Sequence, residues 1–423
     1  MNKQLHLDLE IVQIKDVRFA EKTHVADHVL YIDKQEMLEF IHDPFFLDLD
    51  IALARPGESV RIIPVKDVVE PRIKMSEKGG SFPGFFGAVE ECGEGTTKVL
   101  RGCAVVTTGT VVAFQEGFID MRGVASEYTQ FSKLNNVVVN AKAPEDSAPV
   151  RREEAMRILG LKAAHYLALA TKETPADYCE SYELTEVDPA RKLPRVAIVT
   201  LTMCQGLLHD NYLYGQDVKH LNTTLLHPNE YMDGAMVNGT CVVASDKYTT
   251  WDYQNNPMIK ELYDRHGKEL EFCGCIMTPT YVVLADKRRC TAAAVRIATM
   301  LHLDGVLVPE EGGGNPEADL MMVIRGCEAK GIRTVGLMTP LGGVEGIGDT
   351  AEEADAMIAT GYEGVDFVVE AMDTVIGDIE QIAVLTGGFP DSLRPDGSMY
   401  INILAITGAH NQMGRHNLCS KVL

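Results

Sequence analysis

The chain is short of positive charge. Its 423 residues include 39 lysine and arginine residues against 61 aspartate and glutamate residues, which gives a net charge of −22. Nucleic acids and anionic membranes are bound by basic surfaces, so neither is an expected partner. The apolar runs are too short to cross a bilayer, and the alternating N-terminus is typical of a strand and not of a signal peptide. We therefore expect a cytoplasmic protein.

The sequence also lacks the compact motifs that mark nucleotide and zinc sites. Its glycine-rich segments do not follow the GxGxxG pattern, and no P-loop lysine comes after them. The close pair Cys273 and Cys275 is spaced too tightly for the common zinc sites. We expect reduced thiols, no metal and no nucleotide cofactor. A nucleotide-dependent dehydrogenase is therefore the weakest of the candidate functions.

The pattern of elements changes along the chain. Residues 1–140 contain short alternating runs separated by glycine and proline, which predict a β-rich domain. Residues 141–193 are predicted to be a linker and a helical connection, with a helix from about 151 to 171. Over 194–423, apolar strands alternate with amphipathic helices, which predicts a doubly wound, mostly parallel sheet. The expected fold class is α/β, with the β-rich domain first.

Individual elements of the second part can also be predicted. Buried-type strands are expected where short apolar runs occur, at 196–199, 281–285, 305–308, 334–337 and 365–369. Helices are expected between them, at 290–301, 316–330 and 350–360. Such an alternation gathers the loops that follow the strands at one edge of the sheet, which is where ligands usually bind.

The first candidate for chemistry is the segment Asn238-Gly239-Thr240-Cys241. Gly239 can adopt backbone angles closed to other residues, which permits a strained peptide next to it. A thiol attack of Cys241 on the Thr240 carbonyl gives a thioester, and elimination followed by hydrolysis leaves a pyruvoyl group. This group accepts a primary amine and withdraws electrons from it. Asn-Gly is also a common turn, and a free cysteine is often simply buried.

The second candidate lies between a predicted strand and a predicted helix. It comprises Glu311, Gly312, Gly313, Gly314 and Asn315. Glycines at the carboxyl end of a parallel strand let backbone N–H groups approach a ligand. The adjacent glutamates Glu310 and Glu311 argue against a phosphate as the ligand and favour a small zwitterion. A loop that faces another subunit, or a plain flexible connection, fits the same pattern.

The third candidate is Cys204 with His209, after the first strand of the second part. A cysteine and a histidine facing one cleft can act as a nucleophile and its base, but no third orienting residue can be assigned. We treat both residues as candidates for lining the substrate site.

Longer segments of the chain resemble a known family, the proprotein subunit of component B of the glycine, sarcosine and betaine reductases. The resemblance covers nearly the whole length and includes the Asn238-Gly239-Thr240-Cys241 segment. Its other matching segments are residues 54–62, 64–68, 70–72, 82–84, 105–109, 114–121 and 127–133.

The resemblance implies cleavage between Thr240 and Cys241, with a pyruvoyl group formed from Cys241. It implies a hetero-oligomer with a component B subunit that carries selenocysteine, and transfer of a carboxymethyl group to the small selenoprotein component A. The reaction implied is reductive cleavage of the C–N bond of a small amine, linked to a disulfide or thioredoxin.

Two questions stay open at the level of sequence. Departures near residues 122–126 and 340–350 leave the amine open among glycine, sarcosine, betaine and that of an uncharacterised relative. Glycine forms a neutral Schiff base with a ketone, sarcosine only an iminium, and betaine neither, so a pyruvoyl role is simplest for glycine. The alternative function is an uncleaved scaffold or binding subunit in which Cys241 only packs.

Overall fold

A computed structural model describes residues 5–113, 115–206, 208, 210–239, 242–339, 354–361 and 365–413. It is a mixed α/β structure, which confirms the fold class expected from the sequence. None of the helices in this described part is both long and apolar enough to cross a membrane.

The first part of the chain is dominated by strands. They are β1 (His6–Gln13), β2 (Asp16–Phe19), β3 (His24–Ala26), β4 (Val29–Ile32), β5 (Asp48–Ala54), β6 (Val60–Val69), β7 (Arg72–Lys74), β8 (Gly95–Arg101), β9 (Cys103–Gly109), β10 (Gly117–Asp120) and β11 (Asn135–Lys142). Glycine, proline and asparagine in the turns between them account for the short runs seen in the sequence.

The remaining strands are spread over the rest of the chain. They are β12 (Tyr178–Glu183), β13 (Arg195–Met203), β14 (Asn211–Leu213), β15 (Gln216–Asp217), β16 (Thr224–Leu226), β17 (Met236–Asn238), β18 (Glu271–Thr280), β19 (Gly305–Pro309), β20 (Arg333–Met338), β21 (Met357–Ala359), β22 (Asp366–Val369), β23 (Thr374–Gly377) and β24 (Met399–Asn402). The α-helices are α1 (Lys34–Ile41), α2 (Pro149–Ala170), α3 (Pro228–Met232), α4 (Thr250–Gln254), α5 (Pro257–Arg265), α6 (Leu284–Met300) and α7 (Glu317–Glu328).

Two larger sheets form the β-rich part. One has the order β12-β1-β8-β7, and the other has the order β10-β6-β9-β11-β5. The predicted helix is α2, which begins with Pro149 at its first turn, a position where proline is well tolerated. Its buried face packs on β6 and β9 and joins a large core with α1.

A third large sheet has the order β16-β18-β13-β19-β20-β21. All its neighbouring pairs are parallel except β16 with β18. The apolar strands β13 and β19 lie in its middle, and α6 and α7 cover one face through a core of aliphatic side chains. The carboxyl ends of β13 and β19 therefore meet at one edge of this sheet.

Two predicted elements of the second part are wrong. The run at 281–285 is not a strand, because β18 ends at Thr280 and α6 begins at Leu284. Its apolar side chains Val282, Val283 and Leu284 are exposed, so a short apolar run here marks a helix start and not a buried strand. The helix predicted at 350–360 is replaced at its end by β21, and residues 350–353 lie outside the described residues.

The C-terminal part returns to the β-rich part. Strand β23 pairs in parallel with β6, with Thr374 opposite Val60. Arg61 of β6 binds Asp120 through two bonds of 2.6 and 2.7 Å and donates to the Glu370 carbonyl at 2.8 Å. This buried arginine therefore links the β-rich sheet to the segment just before β23.

Candidate active site

The candidate residues gather at the carboxyl edge of the parallel sheet. Asn238 is the last residue of β17, and the buried Gly239 follows it. Glu311 follows β19, whose carboxyl end lies beside that of β13. Three of the predicted residues lie outside the described part of the chain: His209, Thr240 and Cys241. The geometry of the site is therefore built from the residues on either side of them.

The carboxyl group of Glu311 is the centre of the hydrogen-bond network at this edge. It is completely buried. Its donors come from separate elements: Met203 N at 2.9 Å, Asn211 Nδ2 at 2.7 Å, Tyr248 N at 3.3 Å and Tyr253 OH at 3.2 Å. Because every one of these partners donates, the carboxyl group acts as an acceptor that joins β13, β14, α4 and the segment before α4.

Burial raises the pKa of Glu311 to about 8, and the bonds from Met203 N, Tyr248 N and the side chains oppose that rise. Its oxygens already accept these donors. Three of these donors bind Oε2 and only Tyr248 N binds Oε1, so the substrate contact predicted for Glu311 would have to be made at Oε1, inside the buried network.

Asn238 is held on two sides. Its Nδ2 donates to Asn211 Oδ1 at 3.2 Å, and its backbone N donates to Thr250 Oγ1 at 3.0 Å. Asn211 lies directly opposite Asn238 in the antiparallel pair β14 and β17, and it is the same residue that binds Glu311. The chain that leads into Thr240 is thereby connected to the Glu311 network.

The segment after Cys241 is fastened to the β-rich sheet. Asp67 of β6 accepts Thr250 N at 2.9 Å and Thr250 Oγ1 at 2.6 Å. One residue earlier on β6, the Lys66 carbonyl accepts Lys247 Nζ at 3.1 Å. The Lys66 ammonium is itself buried against Glu116. Polar groups inside a buried strand thus anchor the segment that runs from Val242 into α4.

Asp67 makes the stability of this anchor depend on pH. Burial raises the pKa of Asp67 to about 7, against hydrogen bonds from Thr250 that favour the charged form. An unfolded aspartate titrates near 4, so between pH 4 and 7 the folded chain binds more protons than the unfolded chain. Its free energy of unfolding therefore falls as pH rises, by up to about 1.4 kcal/mol per pH unit for this group.

The Asp67→Asn variant is expected to remove this contribution, so that its free energy of unfolding depends less on pH between 4 and 7. Urea unfolding at several pH values, on samples with the same intact mass, measures the difference from the unsubstituted chain. Parallel pH profiles for the two chains would contradict the assignment.

The loop after Glu311 packs closely against Met203 and Val242, and Gly312 lies at the point of contact. Gly312 has a φ of +80°, and a Cβ added there would lie 2.4 Å from Met203 Cε and 3.8 Å from Val242 Cγ1. The Gly312 carbonyl accepts Gln412 Nε2 at 3.0 Å. The residue after Cys241 is thus packed beside the residue after Glu311. A larger residue at position 312 would be strained by the positive φ and would have to push the end of the Met203 side chain aside.

Residues 313–315, the rest of the loop, lead into α7. Gly314 N donates to Glu317 Oε1 at 3.2 Å, and the Asn315 carbonyl accepts Lys287 Nζ at 3.1 Å. Gly313 is half-buried and Asn315 is exposed. Residues 313–315 therefore lie at the surface end of the loop, where a ligand or a partner could reach their backbone.

Cys204 lies just beyond the end of β13 and is buried. Its Sγ donates to the Thr280 carbonyl at 2.9 Å. Burial, with Asp210 nearby, raises the pKa of this thiol well above its ordinary value. Cys204 is therefore a protonated thiol held by a carbonyl, which is a poor state for a nucleophile.

Sequence reasoning missed several residues of this network. They are Lys66, Asp67, Asn211, Tyr248 and Tyr253. The available signal was the adjacent charged pair Lys66 and Asp67 in β6, a strand that also contains Arg61, because charges inside a fully buried strand need partners. No local pattern marks the tyrosines or Asn211, since their contacts arise only in the folded chain.

Comparisons with known proteins identify the family of the chain. The family model described as glycine/sarcosine/betaine reductase component B subunits matches residues 5–421. The chain is 44% identical over 428 residues to the glycine reductase complex component B subunits alpha and beta of Acetoanaerobium sticklandii, covering 99% of this chain and 100% of that relative. It is 40% identical over 426 residues to the sarcosine reductase complex component B subunit alpha of Peptoclostridium acidaminophilum, with 99% and 100% covered. A more distant relative, the D-proline reductase proprotein of A. sticklandii, is 21% identical over 353 residues, which cover 77% of this chain and 53% of that relative. No solved structure matches the chain.

Proposed function

Because the chain belongs to the family of glycine/sarcosine/betaine reductase component B subunits, we propose that it is a proprotein that cleaves itself between Thr240 and Cys241. In this proposal Cys241 becomes the pyruvoyl group at the start of the second fragment. The observation that carries the proposal is that the chain on both sides of this pair is tied to the loop that begins at Glu311: Asn238 through Asn211, and Val242 by lying beside Gly312.

The two flanks reach that loop by different routes. Asn238 connects to Glu311 through Asn211, with bonds of 3.2 and 2.7 Å. Val242 is fully buried and lies against Gly312. Fixing the chain on both sides of a peptide bond supports an intramolecular attack, because orientation replaces a costly search for the reactive geometry.

The surroundings also fit a small carbonyl group. Val237 and Val242 are completely buried, so bulk water is kept away from both flanks. The Asn238 side-chain oxygen is buried and has no hydrogen-bond partner within the described residues. A pyruvoyl group supplies a ketone next to an amide, which takes up an amine and draws electrons from it.

The proposed cleavage balances with water as the only co-reactant. The Cys241 thiol adds to the Thr240 carbonyl carbon, the C–N bond breaks, and the thiol proton ends on the freed nitrogen. Loss of the Cys241 α-proton then breaks its C–S bond, which leaves dehydroalanine and a thiocarboxylate on Thr240. Water replaces the dehydroalanine nitrogen, which leaves as ammonia, and a second water turns the thiocarboxylate into a carboxylate with release of sulfide.

Within the complex, the proposed role of the chain is to bind a small amine for reductive cleavage of its C–N bond. The partners proposed are the component B subunit that carries selenocysteine and the small selenoprotein component A, which receives the carboxymethyl group. The electrons are proposed to come from a disulfide or thioredoxin system. The names of the relatives support this proposal, since they describe components of reductase complexes.

The chain purified from its native host is expected to give two fragments, residues 1–240 and 241–423, with the second blocked at its N-terminus and reactive toward hydrazines. Intact-mass measurement and hydrazine labelling check this result. One uncut chain that does not react with hydrazine would contradict the proposal and would favour an uncleaved binding subunit.

A further inference from the structure

Glu310 differs from its neighbour Glu311 in that its carboxyl group is unused. The side chain is completely buried, and within the described residues neither of its carboxyl oxygens has a hydrogen-bond partner. Its backbone is firmly held, since Glu310 N donates to the Leu337 carbonyl at 3.0 Å and the Glu310 carbonyl accepts Tyr248 OH at 2.9 Å. Burying a carboxyl group without a hydrogen-bond partner costs folding free energy, and a bound ligand that pairs with the group would offset this cost.

The charged groups around Glu310 are mostly occupied elsewhere. Glu317 accepts Gly314 N in the turn that starts α7, and Lys287 forms an ion pair with Asp319. Asp246 accepts Ser245 Oγ at 3.0 Å and lies 3.7 Å from His410 Nδ1. Among the described residues, the cation that faces Glu310 is thus already paired with another carboxylate.

Burial and these neighbours favour the neutral form of Glu310. Burial, together with the charges of Glu317, Asp246 and Asp319, raises the pKa of Glu310 well above its usual range, and Lys287 opposes the rise only in part. The protonated form of the carboxyl group is therefore favoured, and neither of its oxygens has a hydrogen-bond partner within the described residues.

We propose that Glu310 is the residue that pairs with the ammonium group of the amine substrate, and this inference rests on the function proposed above. Glu310 lies at the carboxyl end of β19, at the edge of the parallel sheet where ligands bind. One carboxylate balances one positive charge, as on an ammonium group. A metal ion would need more, and no group of three or more His, Cys, Asp or Glu side chains in the described part of the chain could hold one.

The proposal fixes the proton balance of binding. Glu310 begins as a neutral acid, and the arriving ammonium group replaces its proton, which leaves to solvent. Glu310 and the ammonium group then form a pair of one negative and one positive charge, so the net charge of this pair equals that of the neutral acid it replaces. The substrate's own carboxylate is not part of this pair. Each bound amine should therefore release about one proton, and affinity should rise about tenfold per pH unit while the pH is below the pKa of Glu310.

Isothermal titration calorimetry of the full chain in buffers of different ionisation enthalpy measures this proton release. The protein is first treated with borohydride, which removes any reactive ketone, so that only non-covalent binding is measured. Glycine, sarcosine and betaine are titrated in turn. For the amine that binds, the unsubstituted chain should release about one proton, whereas the Glu310→Gln variant should release none and bind at least about 30-fold more weakly.

Glu317→Gln is the matched control. It makes the same substitution at a neighbouring acid, whose side chain already accepts a hydrogen bond from Gly314 N at the start of α7. It should keep the proton release. If Glu310→Gln fails to fold by circular dichroism, the pH dependence of affinity of the unsubstituted chain decides instead. Binding of none of the three amines, equal proton release by both chains, or an affinity independent of pH would overturn the inference.

The cleavage and the role of Glu310 have separate readouts. A chain found uncut by intact mass contradicts the proposed function, yet its titration still reports on Glu310. A chain that is cut, carries the ketone and binds amine without releasing a proton contradicts only the role of Glu310.

Discussion

The Cys241→Ala chain is expected to remain in one piece, with complete loss of the two fragments and of hydrazine labelling. Alanine has no thiol to attack the Thr240 carbonyl and no sulfur to leave in the elimination, so both steps of the proposed reaction stop. Intact-mass measurement after expression in the native host gives the result directly. The reductase activity of the assembled complex should disappear with the ketone.

Cys179→Ser is the control for this experiment. Cys179 is an exposed thiol on β12, so its replacement removes a cysteine without disturbing the core. It should be cleaved like the unsubstituted chain. If Cys241→Ala is still cut at residue 240, or if it is uncut but leaves the activity of the complex unchanged, the pyruvoyl proposal fails. The second result would identify the chain as an uncleaved binding subunit.

The Glu311→Ala variant is expected to lose about 3–5 kcal/mol of its free energy of unfolding. The change leaves two backbone N–H groups, the Asn211 amide and the Tyr253 hydroxyl without their buried acceptor. Cleavage should also slow, because Asn211 Nδ2 is left with only the Met203 carbonyl as an acceptor and therefore orients Asn238 less firmly. Urea unfolding should be done in the Cys241→Ala background, where every sample is uncut, and cleavage should be timed with Cys241 present.

Two further variants should lose less stability than Glu311→Ala. Tyr253→Phe removes one of the donors and should cost about 1 kcal/mol, with cleavage retained. Glu311→Gln keeps one acceptor oxygen but turns an amide N–H toward a donor, so its stability should fall between those of the other two variants. Equal stability of Glu311→Ala and Tyr253→Phe would show that the carboxyl group does not hold the network together.

The parts of the fold that depend on local pattern could be predicted from the sequence. Helix α2 begins and ends within two residues of its predicted bounds, because its apolar residues recur at helical spacing. The run at 281–285 was assigned wrongly because a short apolar run carries no period that distinguishes a strand from a helix start. The pairing of β23 with β6 could not be predicted, since the paired residues are over 300 positions apart and no local signal specifies them.

The candidate site divides in the same way. The segment from Asn238 to Cys241 and the loop from Glu311 to Asn315 carry local signals of glycine turns and reactive side chains. The link between them consists of Asn211, which stands in a short strand with an ordinary sequence. The anchoring of Thr250 on Asp67 likewise joins two distant segments. The charges inside β6 indicate that a partner is needed there, but which residue meets Asp67 is decided only in the folded chain.

The positions of β13 and β23 have a consequence for how the protein is made. Residues before the proposed cut supply β13, which lies between β18 and β19 from the residues after it. The later residues in turn supply β23 to the sheet that contains β6. While the chain is continuous, each part meets the other at the high effective concentration of a tethered neighbour. After the cut, these strands belong to two separate fragments. The mature form keeps the structure that the continuous chain folded into, and dilute fragments would reassemble it only slowly. The lifetime of the mature form would then be governed by its rate of unfolding, because unfolded fragments are no longer joined by the peptide bond that held them together during folding.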